Sequence, residues 1–170
     1  ALAEPLPGRI PAASCGSMNN VTIGVDDPRG DGAENFTYYE TIAGGSGGHA
    51  SGEGADAIHT HMTNTLNTPI EALEHAYPLR VERYAIRDDS GGDAPHAGGD
   101  GVVRSYVFDG DATATLMTER REHPPYGLQG GNPGQRGHNI LVRDGEPKAL
   151  PGKCVVELDE GDRLRIETPG

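Results

Sequence analysis

Tryptophan is absent and phenylalanine occurs only at Phe36 and Phe108, so no large aromatic cluster is available to build a core. Lysine is nearly missing as well. Lys148 and Lys153 are the only two, and arginine supplies the rest of the 14 basic residues. Against 26 carboxylates this leaves a formal charge of −12. That balance excludes a generic grip on nucleic acid, because neutralising phosphates needs clustered Lys and Arg. Abundant carboxylate with scarce lysine fits a high-salt host, where charge is screened, or an ordinary acidic protein. Cys15 and Cys154 lie far apart with no CxxC or zinc-type spacing, so they read as buried free thiols in a reducing compartment. No apolar run approaches the roughly 20 residues of a membrane span, and no charged-then-apolar signal segment opens the chain. The expectation is a soluble, cytoplasmic protein without a membrane partner.

Glycine and proline are plentiful, at 26 and 13 of 170 residues, just under the level at which disorder becomes the default. Strand patterns argue for order. Residues 1–20 hold three prolines and read as an extended lead-in. Val21–Val25 and Phe36–Ile42 alternate like strands joined by a turn over Asp26–Gly32. Thr68-Pro69-Ile70-Glu71 has the pattern of a capping box, predicting a helix from Pro69 to about Ala76, and Ala55–Met62 is a candidate second helix. Further strands are expected at Leu79–Arg87, Val102–Phe108, Ala112–Thr118, His138–Val142, Cys154–Leu158 and Arg163–Glu167. Asp109-Gly110-Asp111 reads as a hairpin turn between two of them, and Asp144-Gly145 as a turn after another. The fold class is therefore α+β and β-dominated: one domain over 1–170, an antiparallel sandwich or barrel-like sheet with one or two short helices. Its loops at 88–101 and 122–137 are long enough to be functional or to lie at an interface. Both ends look cut, so the chain is expected to be a piece of something longer.

Chemistry concentrates in 38–67. Gly44-Gly45-Ser46-Gly47-Gly48 lets other groups approach the backbone closely, and His49 follows directly. The run lacks the Lys-Ser/Thr of a Walker loop, so it reads better as a backbone-lined wall facing a substrate or a partner subunit. His59-Thr60-His61-Met62-Thr63-Asn64 is a dense hydrogen-bonding run. On a strand His59 and His61 would share a face and could begin a metal site; hydrogen-bonded structural histidines are the alternative. Thr60 and Asn64 are further candidates for facing the site. Arg104 and Arg121 could bind a carboxylate or phosphate, or simply pair with the abundant acidic side chains. No GxSxG elbow occurs, and Ser46, Ser51 and Ser90 have no partner at diagnostic spacing.

Several stretches together resemble one family. They are YYETIAGGSGGHASGEGADAIHTHMTNTLNTPIEALEHAYPLRVERYAIR from Tyr38, Ser90-Gly91-Gly92, Gly98–Phe108, TERREHPPYGLQGGNPGQRG from Thr118, and GDRLRIETPG from Gly161. The chain is similar to the C-terminal part of the B-type subunit of the hydantoinase B/5-oxoprolinase family. The resemblance implies an ATP-dependent hydrolase of cyclic amides, with hydantoins, 5-oxoproline or related lactams as substrates. An A-type subunit would supply nucleotide binding, and ATP and a divalent metal are implied for the complete complex. Related assemblies are ATP-dependent acetone or acetophenone carboxylases, and a non-catalytic assembly role for this segment is a third possibility. The family's N-terminal half, with its acidic and histidine motifs, is not in this sequence. The resemblance therefore implies a part that is inactive alone.

Overall fold

The computed structural model describes residues 2–6, 8–26 and 35–170. Nine strands and one helix follow in order: β1 (Asn19–Asp26), β2 (Asn35–Thr41), α1 (Ile70–Ala76), β3 (Leu79–Arg87), β4 (Gly101–Phe108), β5 (Ala112–Thr118), β6 (His138–Arg143), β7 (Glu146–Leu150), β8 (Lys153–Leu158) and β9 (Arg163–Glu167). They form two antiparallel sheets, ordered β2-β1-β5-β8 and β3-β4-β9-β6-β7, so the architecture is a sandwich and not a closed barrel. The lead-in 1–20 is irregular where it is described, until its last two residues enter β1.

Alternation sets which residues meet. From the first sheet, Val21, Ile23, Tyr38, Ala114, Leu116 and Leu158 turn inward. The second sheet answers with Val102, Tyr106, Phe108, Leu141, Leu164 and Ile166, and all twelve join one buried core. Each fully buried Val, Leu or Ile side chain contributes on the order of 1.5–3 kcal/mol. β4 is buried along nearly its whole length, because it lies between β3 and β9 and is covered on both faces.

Four local expectations are corrected by the structure. Asp109-Gly110-Asp111 is no hairpin turn, since β4 and β5 belong to different sheets and the link carries the chain across the sandwich. Asp144-Gly145 does close a hairpin, but between β6 and β7, and both residues lie at left-handed φ, +52° and +81°, as a two-residue turn demands. The sequence pattern hides β7 because Pro147 breaks it and its residues are mostly exposed; as an edge strand it tolerates the missing donor. β8 then crosses to pair with β5. Ala55–Met62 is not helical, because Ile58 bridges to Gly44 and Ala57 takes a left-handed φ of +47°. The expected capping box does not form either: Pro69 is the N-cap with no side-chain bond to it, and the Thr68 N–H donates to Glu40 Oε1 at 2.8 Å. The expected turn over Asp26–Gly32 lies almost wholly outside the described residues.

Candidate functional site

β2 feeds the glycine run, which then folds back on itself. Ser46 N–H donates to Ala55 O at 3.0 Å, Ser46 Oγ accepts from Ala55 N–H at 2.7 Å, and His49 bridges Gly52. Other loops are stitched on through backbone bonds: Gly99 N–H to Ser46 O, Gly54 N–H to Ala97 O, Gly45 N–H to Pro169 O, and Ala12 N–H to Gly48 O. The glycines permit this stacking. A Cβ on Gly45 would stand 1.9 Å from Gly99 O, and one on Gly47 would stand 2.0 Å from Ala12 O. None of Gly44, Gly45, Gly47 and Gly48 has a left-handed φ, so close approach and not φ freedom explains the composition.

Two neighbouring clefts open against this wall. One, of about 400 Å³, is lined by Ser14, Ser46, His49, Ser51, Thr60 and His61 along with backbone of the lead-in. The other, of about 390 Å³, adds His96, Tyr126, Gln129 and Asn132 from the two long loops to a floor of glycine backbone. Gly47, His49 and Ala50 border both. The loops at 88–101 and 122–137 thus owe their length to closing a concave surface over 44–51.

The histidine run does not behave as a metal pair. His61 lies outside any strand at a left-handed φ of +57°, exposed, with Nε2 2.8 Å from Ser14 Oγ. His59 looks elsewhere. Both its ring nitrogens are sealed and make no hydrogen bond, with Asn67 and Glu40 as polar neighbours. Burial lowers its pKa, and the opposing pull of Asn67 and Glu40 is smaller. Among the described residues no three His, Cys, Asp or Glu side chains gather where they would hold a metal. Thr60 borders the first cleft with a sealed, unpartnered Oγ1, and Asn64 is exposed at a φ of +30°.

This constellation of wall, loops and clefts runs through the same stretches that carry the resemblance. The family described as hydantoinase B/oxoprolinase matches over residues 1–170. The chain belongs to that family. It is 42% identical to 5-oxoprolinase 1 of Arabidopsis thaliana over 160 residues, covering 94% of this chain but 12% of that protein. Among solved structures it resembles the ATP-dependent caprolactamase of Pseudomonas jessenii, with a TM-score of 0.78 and 21% identity, over 100% of this chain and 31% of that one. An acetone carboxylase structure aligns with a TM-score of 0.75 and 18% identity, over 96% of this chain and 26% of that one. Both structural likenesses speak for the fold.

In this hydantoinase B/oxoprolinase-family chain the two candidate arginines part company. Arg104, on the inner face of β4, is completely buried; its Nε lies 2.9 Å from Glu40 Oε2 on β2 and donates to Tyr106 Oη at 3.0 Å. Tyr106 Oη donates to Glu40 Oε2 at 2.6 Å, while Asn67 and the Thr68 N–H satisfy Oε1. Burial works against the Arg104 charge, yet Tyr106 and Glu40 outweigh it and its pKa is raised; burial pushes the Tyr106 hydroxyl far up. Arg104 therefore faces a carboxylate of its own chain, away from both clefts. Arg121 is mostly buried and held by neutral oxygens: Asn139 Oδ1 at 3.1 and 2.9 Å, Asn19 Oδ1 at 2.7 Å and Glu119 O at 2.6 Å. Burial, then the nearby Arg87 charge, pushes it down to about 10. Neither arginine lines a cleft.

Two participants escaped the sequence reading. Glu40 shares the inward face of β2 with Tyr38, so a carboxylate at an apolar position of the alternation was a usable signal. Ser14 had none. Its partner His61 is 47 residues away, and only the fold joins them.

Proposed function

We propose that this chain is part of an ATP-dependent hydrolase of cyclic amides, acting on a hydantoin, 5-oxoproline or a related lactam. In this reading the two clefts form one wall of a composite site completed by an A-type subunit and by further B-type chain. The observation that carries it is the pair of adjoining clefts bordered by Gly47 and His49, built by the stretches that match the family over residues 1–170. Their lining is largely uncharged: backbone amides, hydroxyls, imidazoles and carboxamides, with Arg9 as the single formal charge in the two linings. Such a lining suits a neutral ring that presents one C=O acceptor and one N–H donor. Gly44–Gly48, His49, Thr60 and Asn64 are read here as its substrate- or interface-facing residues.

ATP and a divalent metal are assigned to the rest of the assembly. The described residues bring together no three metal-ligating side chains, and the clefts hold neither the Lys-Ser/Thr of a phosphate loop nor a cluster of cations. The residues present do not fit either group, and no step is routed through them. The support for a partner is spatial as well: this chain covers 12% of the Arabidopsis oxoprolinase and 31% of the caprolactamase chain.

Co-expression of the complete B-type chain with its A-type partner tests the reading. The expected result is ATP hydrolysis that depends on added hydantoin, 5-oxoproline or lactam. No stimulation by any of these, or turnover that requires bicarbonate and a ketone, would overturn it.

A further inference from the structure

The first cleft contains a pairing that amide recognition alone leaves unexplained. Ser14 is 6% exposed, and its Oγ sits 2.8 Å from Nε2 of an exposed histidine. Both side chains line the same cleft of about 400 Å³. A serine hydroxyl within hydrogen-bond reach of an imidazole is the minimal unit of an activated nucleophile. A buried serine merely in need of a partner could be served by backbone at little conformational cost. Here the partner is a histidine held at a φ of +57°, a sparsely populated region for a residue with a side chain. The cleft wall contributes as well. Gly47 borders the cleft, and its N–H makes no hydrogen bond among the described residues, which leaves a donor for a developing oxyanion.

We propose that Ser14 and His61 form a nucleophile–base pair that opens on this cleft and accepts a small electrophilic acyl compound, such as a short-chain ester. Ser14 Oγ bonds to the acyl carbon while His61 Nε2 takes the hydroxyl proton. The bond from carbon to the leaving oxygen then breaks, and the proton passes from His61 to the departing alkoxide. Water enters by the same route: His61 takes one of its protons, its oxygen bonds to the acyl carbon, and the ester to Ser14 breaks. The carboxylic acid leaves, and Ser14 regains its proton from His61. The step needs neither ATP nor a partner subunit, so it stands or falls separately from the cyclic-amide reading.

A fluorophosphonate probe tests the pair on the chain itself, since its P–F bond breaks as Ser14 Oγ bonds to phosphorus and fluoride leaves. Mass spectrometry should place a single adduct on Ser14. His61→Gln should slow labelling by about 10²–10⁴-fold, the usual worth of a positioned base. His75→Gln, at an exposed helical position away from the clefts, should leave the rate unchanged. If Ser14→Ala fails to fold, Ser14→Cys provides a second reading: its alkylation by iodoacetamide, mapped separately from Cys15 and Cys154, should slow when His61→Gln is added. Absence of a Ser14 adduct on the folded chain, or labelling and alkylation rates indifferent to His61, would overturn the proposal.

Discussion

Arg104 and Arg121 show what a neighbouring strand can do to the same side chain. Arg104 lies across the sandwich from Glu40, 2.9 Å away, and shares that carboxylate with the Tyr106 hydroxyl. Arg121 meets only amide and carbonyl oxygens from Asn19, Glu119 and Asn139, with Arg87 close enough to add repulsion. The first charge is neutralised in place and the second is solvated by dipoles. A buried charge with a carboxylate depends heavily on that one partner, whereas one held by dipoles spreads its dependence over several weaker bonds.

The largest effect should therefore come from Glu40→Ala. It leaves Arg104 buried without a counter-charge and removes the acceptor used by Tyr106, Asn67 and Thr68. Breaking a buried pair on one side costs about 3–5 kcal/mol. Urea unfolding monitored by circular dichroism should show a loss of that size. Replacing both partners, Glu40→Leu with Arg104→Met, should restore much of it, because no lone charge remains. A Glu40→Ala penalty below about 1 kcal/mol, the scale of an exposed pair, would contradict the buried-pair description.

Arg121→Met should cost less. The carboxamide oxygens of Asn19 and Asn139 lose a donor, worth about 1–3 kcal/mol where they are sealed, and loss of a charge without a carboxylate partner offsets part of that. The same unfolding experiment ranks the two. If Arg121→Met proves as damaging as Glu40→Ala, the dipole-held charge is not the weaker dependency, and the contrast fails.

That contrast also marks how far the sequence could be read. The β-dominated class, the helix near Ile70–Ala76 and most strand positions were legible, because period-2 alternation is local and survives without tertiary knowledge. Sheet membership was not, since Asp109-Gly110-Asp111 has hairpin chemistry whether it reverses the chain within a sheet or passes it to another. At the site, the glycine run and the adjoining histidines were visible as a special segment. Their purpose was not, because stacking of Gly45 on Gly99 and of Gly47 on Ala12 depends on loops that arrive from elsewhere. Arg104 and Arg121 were indistinguishable for the same reason: the deciding residues, Glu40, Asn19 and Asn139, are supplied by other strands. Family resemblance filled part of this gap by recognising the stretches together.

The smallest effect sharpens the Arg104 side of the comparison. His59 neighbours Glu40 and Asn67 in that region, yet its two nitrogens are sealed without a hydrogen bond, and burial lowers its pKa from 6.5. The folded state thus favours the neutral ring, and below 6.5 the unfolded chain binds more protons than the folded one. Its contribution to stability is fully present above 6.5 and is lost as pH falls from there through the lowered folded value. His59→Gln removes the titration while keeping a polar side chain. Between pH 7 and pH 5 the native chain should lose stability relative to the variant, measured as a widening gap in urea midpoints. Parallel pH curves would mean that Glu40 pulls on the imidazolium as strongly as burial opposes it. The carboxylate that neutralises Arg104 would then be serving a second cation as well.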